Sequence, residues 1–169
     1  MTDVTDVTDV TVPPPPVPRP AAVYGAAGLI PFVAAAVAVW VLPGGWKTNA
    51  LYVQLAYGAT ILSFLGAVHW GLALAGRGTG GDVAAACTWR RLGLSVVPAL
   101  IGWVSLTLAP LLGALVQLVA FAGLMLADGA ATRQGLLPPW YPRLRKPLTL
   151  VVMLSLAAAI ARASWPNSL

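Results

Sequence analysis

Five stretches of apolar residues, each bounded by charges, glycines or prolines, set the rhythm of this chain. Residues 23–42 stop at Pro43, Gly44 and Gly45, and residues 51–75 stop at the glycine-rich GRGTGGD. Residues 92–108 follow the pair Arg90 and Arg91, and residues 111–127 resume after Pro110 and end before Asp128. Residues 147–163 open on Pro147, a residue suited to the first position of a helix. The runs are continuous rather than alternating, which excludes a β-barrel and fits helices. A helix crosses the hydrocarbon layer with ~17–25 apolar residues. The pattern therefore predicts an all-α integral membrane protein, a bundle of five transmembrane helices with a tight hairpin at Pro110.

Charge placement gives that bundle a direction. With five spans, Arg19, the 76–91 loop and the 128–146 loop share one side, and only Lys47 and Arg162 fall on the other. Eight of the ten basic residues are then on one face, the bias that marks the cytoplasmic side. The N-terminus is expected inside and the C-terminus outside. Trp40, Trp46, Tyr52 and Trp165 fall at outer span ends and Tyr24, Trp89, Trp140 and Tyr141 near inner ends, where amphipathic rings prefer to sit.

Composition sharpens the class. Of 169 residues, 59% are hydrophobic and 9% charged, against roughly 25% charged in soluble domains. The mean hydropathy is +0.82. A net charge of +5 does not point to nucleic acid, because the basic residues are scattered over loops between apolar runs. One cysteine, Cys87, excludes an internal disulfide and a cysteine-rich metal site. Residues 1–21 combine a Thr/Asp/Val repeat, MTDVTDVTDV, with the proline run PPPPVPRP, and read as a disordered tail ahead of a membrane domain at 22–169. Acidic residues stand where a signal peptide would be basic, and no arginine-rich presequence pattern is present.

The candidate chemistry is sparse. SFLGAVHWGLAL, residues 63–74, holds the single histidine, His69. As a metal or haem ligand it lacks partners. As a proton relay it needs a carboxylate, for which Asp128 at a membrane edge is the candidate. As a structural donor it needs only one acceptor on a neighbouring helix. With Trp70 and Trp103 it could also wall a pocket. Asp128 itself reads as a surface partner of Arg133, Arg90 or Arg91. Ala59, Ser63, Ala67 and Gly71 recur every fourth residue and, with Gly66, mark a face for close helix packing. Gln117 is placed to hydrogen-bond across the bundle, and Pro31 and Pro98 interrupt their helices. Residues 137–148, LPPWYPRLRKPL, set Arg143, Arg145 and Lys146 beside Trp140 and Tyr141. They read as an inner-face anchor for anionic headgroups or a docking surface. No phosphate-binding loop, nucleophile elbow or paired-histidine motif appears, and the chain has no glutamate. No catalytic residue, metal or cofactor is expected.

GLIPF (28–32), YGATILSFLGAVHWGLAL (57–74), VVPALIGW (96–103) and LPPWYPRLRKPLT (137–149) together resemble the transmembrane protein 69 family. That resemblance runs over nearly everything but the tail. It implies a small polytopic inner-membrane protein and brings no assigned active site. Without a mitochondrial presequence, the expected location is a bacterial inner (cytoplasmic) membrane. The expected role is non-catalytic: an accessory, assembly or scaffold subunit that meets lipid and other membrane subunits, or its own copies. The reason is the lack of buried charge. A small transporter, or a cofactor- or lipid-binding protein with a pocket at His69, Trp70 and Trp103, is the alternative.

Overall fold

The computed structural model describes residues 15–165, and its regular elements are all helices. The Thr/Asp/Val repeat and the first prolines of the tail lie outside the described residues. Helix α1 (Arg19–Ala27) starts within the stretch read as tail, and α2 (Ile30–Val41) continues it after a break at Gly28 and Leu29. Pro31 explains the break, since its ring crowds the carbonyl four residues earlier and it has no N–H to offer. The long α3 (Trp46–Leu74) follows, and then a loop in which Gly76, at φ 58°, leaves no room for a β-carbon against the backbone of Gly81. A short α4 (Val83–Ala86) is capped by Asp82 and α5 (Trp89–Ser105) by Thr88. Helix α6 (Pro110–Arg133) begins on its proline, and α7 (Tyr141–Ala163) is the last helix among the described residues.

Among the described residues, four helical stretches are long and apolar enough to cross a membrane: Arg19–Val41 (α1 and α2 together), Trp46–Leu74, Pro110–Arg133 and Tyr141–Ala163. The 92–108 run, expected as a full span, is the 17-residue α5. At ~1.5 Å per residue it reaches about 25 Å, short of the ~30 Å hydrocarbon layer. The hairpin at Pro110 is present, with the Leu106 and Thr107 N–H groups donating back to the carbonyls of Trp103 and Val104. The last helix begins six residues before Pro147. Pro142 takes its second position, and Pro147 is carried inside it.

Helix α3 is the central post, packed on α2, α5 and α6, while α7 closes the bundle against α2 and α6. Phe32, Val39, Leu51, Leu55, Leu62, Phe121, Leu124, Val152 and Leu156 form the core. The Phe32 ring meets Tyr57 and Phe121 edge-on, at centroid distances of 5.1 and 5.9 Å. The outside is as apolar as the inside, with Phe64, Val119, Leu126 and Leu154 all exposed. Such a surface suits lipid and would not be tolerated by water.

Helices α3 and α5 approach most closely where side chains are smallest. A β-carbon on Gly66 would run into the Ser95 carbonyl, and one on Gly102 would sit 2.9 Å from the Ala59 α-carbon. The buried face of α3 runs through Ala59, Leu62, Gly66, His69 and Ala73, alternating steps of three and four. Ser63, Ala67 and Gly71 are exposed. At 3.6 residues per turn, a strict four-residue step drifts by ~40° each time, so the stripe leaves the packed face after Ala59.

Candidate functional site

One end of the bundle holds a cluster of ionisable side chains from three helices. His69 lies five residues before the end of α3, Asp128 five before the end of α6, and Arg145 four after the start of α7. Each is about one to one and a half turns inside its helix, ~6–8 Å along the axis. Their relative exposures are 3%, 4% and 7%. Charges at such positions persist only when paired and hydrogen-bonded.

The pairing is nearly closed. Arg145 Nε donates to Asp128 Oδ2 at 2.9 Å, and His69 Nε2 lies 3.1 Å from Oδ1. A carboxylate held by a guanidinium is an acceptor on both oxygens, so His69 donates through its Nε2–H. The Tyr141 hydroxyl stands 3.5 Å from Oδ2, at the limit of a hydrogen bond. Arg145 Nη1 donates to the Thr149 hydroxyl at 2.6 Å, and the Thr132 hydroxyl donates to the Asp128 backbone carbonyl at 2.8 Å. Arg145 Nη2 is buried without an acceptor among the described residues. Beside it, Asp128, Thr132, Tyr141 and Arg145 border a void of about 20 Å³, roughly the room one water needs.

This arrangement corrects the expectation of a bundle without buried charge. Asp128 is not a surface partner of Arg133, Arg90 or Arg91. It joins α6 to α3 and α7 inside the protein. Arg145, read as part of an exposed anchor, is turned inward, while Arg143 and Lys146 are exposed and Trp140 and Tyr141 half-buried. The sequence did hold a signal. Tyr141, Arg145 and Thr149 are spaced i, i+4, i+8 and continue into Val152, Leu156 and Ala159, the buried face of α7. Taking Pro147 as the helix start hid that face.

The three candidate pocket residues do not come together. Because α5 runs antiparallel to α3, Gly66 meets Ser95 and Ala59 meets Gly102. Trp103 therefore stands level with the Ala59 region, about ten residues or ~15 Å along α3 from His69, and is 64% exposed. Trp70, next to His69 in sequence, is exposed as well. The cavity that His69 does line is about 220 Å³ and is walled by Thr88, Arg90, Arg91 and Gln134.

A second polar group lies deeper. Gln117 Nε2 donates to the Leu55 carbonyl at 2.7 Å and to Ser105 Oγ at 2.8 Å, tying α6 to α3 and to the end of α5. Gln54 Nε2 donates to the Phe32 carbonyl at 3.3 Å and Tyr57 to the Gly28 carbonyl at 3.0 Å, fixing the two halves of the first run against α3. These are interhelical bonds of the kind that hold membrane bundles together.

Comparison with known proteins adds a family to this geometry. A family model described as "Protein of unknown function (DUF3429)" matches residues 17–161. Transmembrane protein 69 of Xenopus tropicalis is 36% identical over 148 residues, covering 87% of this chain and 56% of that protein. Transmembrane protein 69 of Mus musculus is 30% identical over 144 residues, covering 85% and 56%. The chain thus spans about half the length of the curated relatives it matches. No solved structure matches it.

Proposed function

Since the chain belongs to the DUF3429 family of transmembrane protein 69-like membrane proteins, we propose that it is a non-catalytic accessory, assembly or scaffold subunit of a larger membrane complex. The observation that carries this reading is the occupancy of Asp128. Its oxygens are taken by donors of the chain's own helices, His69 and Arg145, so the cluster holds α3, α6 and α7 in register. A carboxylate bound in this way supports a lock better than a turnover site, where a proton or ligand must enter and leave. What is left outward is an apolar helix wall, with Ser63, Ala67 and Gly71 open to another helix, and a basic end.

In this reading the protein sits in the bacterial inner membrane and crosses it five times, with α5 as the short third crossing. The N-terminus is inside and the C-terminus outside. The eight-to-two distribution of basic residues supports that orientation. The test extracts tagged protein with its native lipid and weighs the intact particle by native mass spectrometry. The wild type is compared with a variant carrying His69→Phe, Asp128→Leu and Arg145→Met. Both are expected to retain the same stoichiometric protein partner, because an apolar cluster of similar volume can replace a buried ionic one. A folded triple variant that loses a solute flux or bound small molecule seen in the wild type overturns the reading.

A further inference from the structure

Two cavities along α5 and α6 meet, one with a basic rim and the other wholly apolar. The first is the 220 Å³ cavity at the end where α5 begins, where Thr88, Arg90, Arg91 and Gln134 stand over a mainly apolar wall from α3 and α6 that includes Leu72 and Ala130. The second is an open groove of about 630 Å³ along both helices, lined by apolar residues that include Val97, Ile101, Leu115 and Val119. Leu94 and Ala127 line both, so the groove runs into the basic cavity. From Leu115 to Ala127 the groove follows thirteen helical residues, ~18 Å.

Among the described residues the charge at the basic end is uncompensated. Among the described residues only Asp82 and Asp128 are acidic. Asp82 accepts the Ala85 N–H at 3.1 Å as the cap of α4, and Asp128 is taken by His69 and Arg145. Arg91 Nη1 donates to the Arg77 carbonyl at 2.6 Å, and Arg90 is exposed. Neither has a carboxylate partner among the described residues. Thr88 is the N-cap of α5, which puts the positive end of that helix dipole at the cavity's edge. An occupant that satisfies both halves is negatively charged at one end and a long hydrocarbon at the other.

We propose that this is a binding site for a phospholipid with an anionic headgroup, the phosphate on Arg90 and Arg91 and one acyl chain along the α5–α6 groove. Basic pockets between membrane helices on the inner face are suited to such headgroups. The site requires only a membrane around the bundle and holds whether or not the chain is an accessory subunit.

The full chain is reconstituted with phosphatidylglycerol and phosphatidylcholine of identical acyl chains, and the retained lipid is counted by native mass spectrometry. Phosphatidylglycerol is expected to be preferred about thirtyfold, at roughly fivefold for each arginine. Arg90→Gln with Arg91→Gln brings the preference close to one, with thermal stability as the check on folding. Gly123→Leu fills a part of the groove where nothing stands within 4 Å of the added β-carbon, and it lowers retention of both lipids. Equal retention of the two lipids by the wild type overturns the proposal, as does phosphatidylglycerol binding that survives both variants. Displacement of the lipid by inorganic phosphate alone would assign the cavity to a free anion and overturn it too.

Discussion

Two glycines five residues apart on one helix are expected to respond with different signs to the same substitution. Gly66 and Gly71 both lie inside α3, so replacing either by alanine brings the same gain in helix propensity, ~0.8–1 kcal/mol. At Gly71 nothing stands within 4 Å of the new β-carbon, and Gly71→Ala should keep that gain. At Gly66 the methyl meets the Ser95 carbonyl, a backbone atom that no rotamer change can move. Relief requires α3 and α5 to separate, which costs ~1–3 kcal/mol for overpacking of this kind. The propensity gains cancel in the comparison, so the difference between the two variants isolates the steric cost. Reversible unfolding in mixed detergent micelles measures it. A difference within ~0.5 kcal/mol would refute the close approach of α3 and α5 at this level.

Three further outcomes follow from the same geometry. Gln117→Met should lower stability by about 1 kcal/mol, the scale of interhelical hydrogen bonds in membranes, because the bonds to Leu55 and Ser105 are lost. The same unfolding assay reads it, and an unchanged stability would mean those bonds contribute nothing net. Cys87, the single cysteine, is exposed between α4 and α5. A membrane-impermeant maleimide should label it in inverted vesicles and not in right-side-out ones, and the reverse pattern would invert the proposed orientation. Gly102→Val should destabilise by more than Gly66→Ala, since its larger side chain would press on the Ala59 backbone, and equal thermal midpoints would count against that packing.

Most of the fold was legible because hydrocarbon-length apolar runs admit few alternatives. The hairpin at Pro110, the use of Ala59 and Gly66 for close helix packing, though not α5 as the partner, and the cross-bundle bonding of Gln117 could be read from residue types and spacing. The cluster at His69 was only half legible. Periodicity shows which face of a helix a residue shares, but not which other helix that face meets, and Asp128 and Arg145 are 59 and 76 positions away from His69. Arg145 was masked further by its company. Three basic residues beside Trp140 read as one surface patch until the i, i+4 run from Tyr141 through Thr149 separates Arg145 from Arg143 and Lys146. The tryptophans misled for a related reason, since Trp70 and Trp103 fall in apolar runs yet stand on outer faces. In a membrane bundle an aromatic side chain inside a span is no sign of burial.

The central claim, that Asp128 and Arg145 form a buried ionic lock, is tested most directly by a double-mutant cycle. Asp128→Ala leaves the Arg145 guanidinium buried and unpaired, and Arg145→Met removes the donor that Asp128 relies on. Each single change should cost ~3–5 kcal/mol, the usual consequence of breaking a buried pair from one side. The double variant removes both charges and should cost much less than the sum of the two. Unfolding free energies that simply add, with each single change below ~1 kcal/mol as at a solvent-exposed pair, would contradict the lock.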